Sequence, residues 1–384
     1  MLIDYDMMKF IWWVLVGILL IGFAITGGMD MGIAHLLPFV GKRDIERRVI
    51  INSVGPHWEG NQVWLITAGA TLFAAWPPVY AAAFSGFYMA MHLVLFALIF
   101  RPLAFDYRSK LEDSRWRGAW DWALFCGGAI PSVVFGVAFG NLLQGVPFHL
   151  DEFLRAHYEG SLFGAFLPLL NPFALLCGVL SFSMLSVHGG AWLQMRTEDV
   201  IAQRARKSVF IFGLVSLVCF AIGGVWIAYG IEGYRVVSEV DYGFYPNPLG
   251  KEVERSVGAW MDIYSQVPTA MFAPALGFLG LSLAMVLSFI RRPGFAFVMS
   301  ALGLAGIIST AGLSMFPFIM PSSTVPDSSL TVWDATSSHL TLTIMFYVVM
   351  LFLPIVLLYT LWCYRRMWGK VRVEDIEARS HAVY

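Results

Sequence analysis

The chain has 384 residues, of which 58% are hydrophobic and only 13% are charged, and its formal net charge is −1. Soluble domains carry about a quarter charged residues, so a water-soluble fold could not bury this much apolar surface. The composition therefore predicts an integral membrane protein. A net charge this close to zero gives no reason to expect a nucleic-acid partner.

The N-terminal stretch MLIDYDMMKFIWW has two acidic residues before its first basic residue, Lys9. It lacks the basic region and the small-residue cleavage site of a secretory signal peptide. We therefore expect the first apolar segment to be a retained membrane span.

Apolar segments of membrane-spanning length recur along the chain and are separated mostly by short connections. They show no strand-like alternation, which favours an all-α integral membrane protein. We predict nine transmembrane helices, at about 10–39, 52–76, 79–104, 120–145, 162–193, 209–231, 267–290, 295–319 and 339–364. The long polar connection 232–266 is predicted to be an extramembrane loop, and 365–384 a C-terminal tail.

The basic residues indicate the orientation of these nine spans. Alternate connections, beginning with the one after the first span, hold 20 of the 25 Lys and Arg residues. Because basic connections stay in the cytoplasm, the N-terminus and the 232–266 loop are predicted to be periplasmic. The 365–384 tail is predicted to be cytoplasmic.

Ionisable groups collect at the cytoplasmic side of the first three spans. Asp30 and Glu59 are expected about 10–15 Å from the cytoplasmic ends of their helices, and the end of the third span brings Arg101 to the same level. Such groups cost several kcal/mol in a membrane unless they are paired or hydrated. The full candidate set is Asp30, His57, Glu59, Arg101, Asp106 and Tyr107.

Two interpretations of these carboxylates are open. Asp30 and Glu59 could relay protons inward from the cytoplasm, or one of them could pair with Arg101 and hold the helices together. The carboxylates outnumber the plausible cationic partners, which favours the relay.

No cofactor or metal site is predicted in this chain. The four cysteines show no CxxC spacing, which argues against a zinc site. A haem b would need two histidines at matched depth, whereas His92 lies in mid-span and His57 and His188 lie near the cytoplasmic ends. Gly28 and Gly32 form a small-residue face that would let another helix approach Asp30.

Several long strings resemble one family, subunit II of cytochrome bd ubiquinol oxidase. They are MDMGIAHLLPF, ERRVIINSVGPHWEGNQVWLITAGATLFAAWPPVYAAAFSGFY, FRPLAFDYRSK, GVAFGNLLQGVPF, GAWLQMRT, SMFPFIMPSS and LTVWDATSSHLTL, and the resemblance extends to the tail EDIEARSHAVY. It therefore covers the chain from end to end.

The resemblance implies an architecture and a role. It implies two four-helix bundles plus one peripheral helix in the bacterial inner membrane. The complex would oxidise quinol, reduce O₂ to water with protons from the cytoplasm, and so generate a proton-motive force. The partner, subunit I, would carry two b haems and one haem d, while this chain binds none. A structural ubiquinone and small single-span subunits are further expected partners.

The same resemblance implies that this chain stabilises subunit I and contributes part of a proton path. Asp30 and Glu59 would be its main carboxylates, flanked by His57, Arg101, Asp106 and Tyr107. The family often has Asp at the position of Glu59, and some relatives carry another acid where this chain has Gly27. The alternatives are a proton-coupled secondary transporter, for which we find no inverted repeat, and a purely structural subunit.

Overall fold

The computed structural model describes residues 3–158, 166–238 and 246–378. Helices dominate the described residues, and three short antiparallel hairpins lie in the connections. The helices are α1 (Tyr5–Val40), α2 (Asp44–Asn52), α3 (Trp58–Ala75), α4 (Pro77–Gly86), α5 (Tyr88–Tyr107), α6 (Ser114–Gln144), α7 (Pro172–Arg196), α8 (Asp199–Tyr229), α9 (Asp262–Gln266), α10 (Phe272–Phe289), α11 (Pro293–Met315), α12 (His339–Arg366) and α13 (Val373–Ala378). The hairpins pair β1 (Phe148–Leu150) with β2 (Ala156–Tyr158), β3 (Glu232–Val236) with β4 (Val253–Val257), and β5 (Phe318–Met320) with β6 (Leu330–Thr331).

Side-chain caps begin three of the long helices. Asp113 accepts a hydrogen bond from the backbone N–H of Arg115 before α6, and Asn171 accepts one from Ala174 before α7. Ser338 caps α12 in the same way. These residues satisfy backbone donors that the first turn of a helix leaves open.

Within the described residues, eight helices are long and apolar enough to cross a membrane. These are α1, α5 with the short turn that follows it, α6, α7, α8, α10, α11 and α12. The chain is therefore a multi-pass membrane protein. The predicted second span corresponds to α3, which does not reach this apolarity because Glu59, Asn61 and Gln62 lie in its first turns. The count of nine spans and the orientation of the termini stay predictions.

The prediction of one continuous helix over 79–104 is wrong. The chain forms α4 and then α5, with a break at Phe87. Tyr158 packs against the chain next to this break, and its hydroxyl donates to the carbonyl of Ala82 at 2.5 Å. A Cβ added at Gly86 would lie only 2.6 Å from the Tyr158 ring.

One other predicted boundary differs from the structure. The span predicted at 162–193 is helix α7 only from Pro172 onward, after a short 3-10 turn at Leu167–Leu170; its first predicted residues, 162–165, lie outside the described residues. The predicted extramembrane loop 232–266 contains the β3–β4 hairpin and helix α9, and its place outside the membrane stays a prediction.

The long helices pack as two groups with one helix at the side. In the first group α1 packs against α3 and α6, and α6 packs against α5. In the second group α7 packs against α8 and α11, and α10 packs against the same two helices. Helix α12 lies at the edge against α1 and α3. This packing follows the two-bundle arrangement with a peripheral helix that the resemblance implies.

The two groups meet where α1 crosses α7 at very short range. A Cβ added at Gly32 would lie 2.0 Å from the backbone carbonyl oxygen of Leu185, and one added at Gly189 would lie 2.4 Å from the backbone of Gly32. The expectation that Gly28 and Gly32 admit a neighbouring helix is confirmed, since Gly28 also lies against Leu185. Only glycine allows backbones to approach this closely.

The beginning of α1 and the start of α12 are tied together at the end of the bundle opposite Asp30. The ammonium of Lys9 is buried and donates to the carbonyl of Trp333 at 2.8 Å. The indole N–H of Trp12 donates to the carbonyl of Leu342 at 3.0 Å. More than three hundred residues of sequence separate the partners in each bond.

Helix α2 is anchored by the buried carboxylate of Glu46. It accepts hydrogen bonds from the backbone N–H of Lys42 at 2.8 Å and from the guanidinium groups of Arg43 and Arg204, at 2.8 and 2.7 Å. Burial alone would raise the pKa of Glu46, but these hydrogen bonds lower it to about 2. The carboxylate therefore stays charged and links α2 to α8.

Candidate functional site

A buried carboxylate on α1 forms the centre of the polar site. Asp30 is only 3% exposed. Both of its carboxylate oxygens accept from the side-chain amide of Asn61, at 3.0 and 3.2 Å, and the Nη2 of Arg101 lies 3.5 Å from Oδ2. The ion pair with Arg101 that the sequence left open is therefore present, and Asp30 is the residue that forms it.

The fold brings these three residues to one end of the helices. Asp30 lies ten residues before the end of α1, which is about 15 Å along the helix axis. Asn61 lies in the first turn of α3, and Arg101 lies near the end of α5. Gly127 on α6 leaves the space that the Arg101 side chain fills, since a Cβ there would lie 2.9 Å from its Cγ.

The buried guanidinium charge of Arg101 has few partners that offset the loss of its hydration. It is 1% exposed, and none of its three guanidinium nitrogens has a hydrogen-bond acceptor within the described residues. A cavity of ≈ 10 Å³ lies beside it, lined by Asp30, Arg101, Phe105 and apolar side chains of α1 and α2. That volume corresponds to about one water molecule, which could bridge the guanidinium and the carboxylate.

A hydrogen-bond chain extends from Asp30 to the last long helix. The hydroxyl of Tyr364 on α12 donates to the amide oxygen of Asn61 at 2.7 Å. The ring of His57 stacks on the Tyr364 ring, with centroids 4.1 Å apart and an angle of 2° between the planes. Sequence reasoning included His57 but missed Asn61 and Tyr364, because the contact joins positions about three hundred residues apart. The run of polar residues at the start of α3 was the only sequence feature that pointed to Asn61.

The other predicted site residues lie on the surface of the chain. Glu59, Asp106 and Tyr107 are exposed, and within the described residues neither Glu59 nor Asp106 has a side-chain hydrogen bond or ion pair. Trp58 and Phe105, their sequence neighbours, stack at 5.0 Å with nearly parallel rings. Glu59 and Asp106 are therefore exposed residues that come directly after the two stacked rings in the sequence.

Three histidines at the helix interfaces, His35, His188 and His57, have contacts other than a second histidine. His35 lies between the hydroxyls of Ser186 and Ser132, at 2.9 and 3.0 Å. His188 lies between Ser300 and the carbonyl of Ile25. The rings nearest His57 are aromatic rings of Tyr364 and Trp192 rather than a second histidine. The described residues also contain no group of three His, Cys, Asp or Glu side chains that could hold a metal ion.

The cavity beside Arg101 is far too small for a quinone headgroup.

The described residues form a mostly helical, multi-pass membrane protein. A buried Asp30–Arg101 pair lies at its helix interface, and the exposed carboxylates of Glu59 and Asp106 lie near the same end. Residues 8–367 match the family described as cytochrome bd terminal oxidase subunit II. The chain belongs to this family and is thus a subunit of a respiratory oxidoreductase complex.

Individual relatives agree with this assignment. The chain is 55% identical over 383 residues to the cytochrome bd-I ubiquinol oxidase subunit 2 of Escherichia coli K12, with 100% of each chain covered. It is 31% identical to the cytochrome bd ubiquinol oxidase subunit 2 of Bacillus subtilis, over 92% of this chain and 94% of that one. The fold is similar to a chain of the bd oxidase of Geobacillus thermodenitrificans, with a TM-score of 0.68, 14% identity, and coverage of 94% and 99%.

Proposed function

We propose that this chain binds and stabilises a haem-bearing subunit I of a cytochrome bd quinol oxidase and supplies part of its cytoplasmic proton path. In this proposal subunit I holds two b haems and one haem d, and the complex oxidises ubiquinol and reduces O₂ to water. The chain lies in the bacterial inner membrane with its N-terminus periplasmic and its tail cytoplasmic. The single observation that carries the proton path is the exposed, unpaired carboxylate of Glu59.

The apolar surface of α12, which is almost unburied within this chain, supports the proposal of a large partner. Only 6% of the apolar window of α12 is buried within this chain, compared with 67% for α7. Glu59 lies on the neighbouring helix α3, where a lipid-facing carboxylate would be costly because hydrocarbon offers no hydrogen-bond donors. A protein partner with polar groups or water at this level removes that cost. We therefore assign this face to subunit I.

The two carboxylates on α1 and α3 have different roles in this proposal. Protonating Asp30 would leave the buried Arg101 guanidinium without a counter-charge, and breaking a buried pair in this way costs about 3–5 kcal/mol. Glu59 carries no such constraint, and Asp106 lies beside the same Trp58–Phe105 contact. Glu59 and Asp106 therefore take up and pass protons, while Asp30 fixes Arg101 and the ends of three helices.

Amide substitutions test this division. Glu59→Gln and Asp106→Asn in the assembled complex are expected to slow quinol-driven O₂ consumption about tenfold or more, since a positioned proton carrier contributes about 10²–10⁴-fold where it is essential. Haem content, measured from the visible absorption spectrum, should stay normal. Glu112→Gln is the matched control, because Glu112 is an exposed acid in the connection that follows α5.

The result distinguishes a chain that contributes a proton path from one that is purely structural. Unchanged O₂ consumption and unchanged proton uptake in both variants would refute the path and leave the stabilising role. Loss of haem together with activity would show instead that Glu59 holds the partner in place.

A further inference from the structure

One face of α5 carries two polar side chains beside exposed apolar ones. Tyr88 and His92 lie one turn apart at the beginning of the helix, and the centroids of their rings are 4.2 Å apart. Exposed residues follow at intervals of three, four and seven along the chain, so they lie on the same side of the helix. We call this face the α5 stripe, and its members are Tyr88, His92, Leu95, Phe96, Ile99 and Asp106.

The ring of His92 has one nitrogen with a partner and one without. Its Nδ1 lies 2.9 Å from the backbone carbonyl of Tyr88, and because a carbonyl oxygen only accepts, Nδ1 carries the proton. In the neutral ring Nε2 is then an acceptor. Within the described residues Nε2 has no hydrogen-bond partner, and it is not enclosed by the chain. Another molecule can therefore reach this nitrogen.

His92 lies deep in a membrane span. It precedes the end of α5 at Tyr107 by 15 residues, which is about 22 Å along the helix axis. The hydrocarbon core of a bilayer is about 30 Å thick, and lipid tails offer no donor to Nε2. Polar side chains within spans almost always face protein or a water-filled cavity. The α5 stripe therefore calls for a protein neighbour at the level of His92.

The α5 stripe continues the side of the chain that the proposed function assigns to subunit I. Helices α3 and α5 contact each other where the rings of Trp58 and Phe105 stack. Exposed Glu59 follows the first ring in the sequence, and Asp106, the last member of the stripe, follows the second. A partner that covers Glu59 and α12 thus lies next to the α5 stripe as well.

We propose that Nε2 of His92 accepts a hydrogen bond from a hydroxyl or an indole N–H on a transmembrane helix of subunit I. The inference rests on the proposed function and adds a residue that fixes the position of α5 against the partner helix. Histidine and hydroxyl side chains form such bonds between transmembrane helices. The Tyr88 ring packs beside the imidazole, and the Tyr88 carbonyl holds Nδ1, so Nε2 is held in one orientation.

Site-specific photo-crosslinking in the assembled complex tests which molecule lies against the α5 stripe. A benzophenone amino acid replaces, in separate variants, Phe96 on the stripe, Leu351 on α12, and Phe210 on α8, which are 63%, 62% and 57% exposed. Phe96 and Leu351 should crosslink to subunit I, whereas Phe210, the matched control in the second helix group, should not.

The crosslinks distinguish the inference from the proposed function. A crosslink to subunit I from Leu351 without one from Phe96 overturns the inference and leaves the proposed function standing. The absence of such a crosslink from both positions would refute the proposed function itself. A crosslink from Phe210 as strong as that from Phe96 also overturns the inference, because the stripe would then be no closer to subunit I than α8 is.

Substitution of His92 tests the hydrogen bond. His92→Phe keeps a ring and removes the acceptor, so it should weaken the association with subunit I about fivefold, which corresponds to about 1 kcal/mol. His92→Gln keeps an acceptor oxygen and should retain the association. Leu214→Phe is the matched control, since it places the same ring at a position of α8 that is 52% exposed.

The measurement is native mass spectrometry at increasing detergent concentration, which gives the fraction of haem-containing complex that still holds this chain. Loss in His92→Phe with retention in His92→Gln and Leu214→Phe supports the bond. Unchanged association in His92→Phe, or equal loss in His92→Phe and His92→Gln, overturns it. The crosslinks are made in chains that keep His92, so they decide about the neighbour even where a His92 variant does not assemble.

Discussion

Replacing Asp30 by Asn removes the charge of a buried ion pair while keeping the size of the side chain. Arg101 would then be a buried cation, 1% exposed, with no acceptor on any guanidinium nitrogen within the described residues. Breaking a buried pair on one side costs about 3–5 kcal/mol. We therefore expect Asp30→Asn to lower the thermal stability of the assembled complex strongly, by loosening the contacts among α1, α3 and α5.

A second substitution tests whether the lost stability comes from the unpaired Arg101 cation. Replacing Arg101 by Met at the same time removes the uncompensated charge and keeps an unbranched apolar chain. Buried pairs replaced by apolar residues are often as stable as the original or more so. The double variant should therefore recover most of the stability that Asp30→Asn loses. The single variant Arg101→Met should be destabilised, because it leaves the Asp30 carboxylate with only the Asn61 amide.

The assay is the loss of haem absorption on heating, measured on the purified complex of each variant. Glu112→Gln is the control, because Glu112 is exposed in the connection that follows α5, and surface changes usually stay within about 0.5 kcal/mol. A complex with Asp30→Asn that is as stable as wild type would refute the reasoning. A double variant no more stable than Asp30→Asn would also refute it, since the lost stability would then not come from the unpaired cation.

The remaining predictions concern the helix crossing and helix α2. Gly32→Ala should destabilise the complex by at least about 1–3 kcal/mol, because its Cβ would meet the α7 backbone at 2.0 Å. The control is Gly69→Ala, which has open space around it and should be neutral or stabilising by up to about 1 kcal/mol. The charge of Glu46 stabilises the fold above the unfolded-state pKa near 4.5, and this contribution is lost as the pH falls toward about 2. The difference in thermal stability between wild type and Glu46→Gln should therefore shrink as the pH is lowered below 4.5, and a difference that grows instead would contradict the assigned hydrogen bonds.

The sequence predicts the class, the long helices and the level of the polar groups, because each depends on local composition. Apolar runs of spanning length identify helices such as α8 and α11 without tertiary information. The break at Phe87 was not predictable in this way. At this break the chain packs against Tyr158, which comes from a different connection and donates to the carbonyl of Ala82.

The candidate site shows the same limit. Asp30 and Arg101 could be placed at one depth by counting residues along two helices, so their pairing was one of the two interpretations. The count could not distinguish the side of α3 that faces Asp30 from the side that faces outward. Asn61 lies on the first side and Glu59 on the second. Tyr364 was missed because no local pattern connects the end of α12 to α3.

The bonds between the start of α1 and the start of α12 affect the order in which the protein matures. Lys9 precedes Trp333 by 324 residues, so its buried ammonium finds the Trp333 carbonyl only after the intervening chain has been synthesised. The same holds for Trp12 and Leu342. Until then, the Lys9 end of α1 must remain hydrated or be shielded by other proteins. A truncated chain that stops before Trp333 lacks both of these bonds between the start of α1 and the last part of the chain.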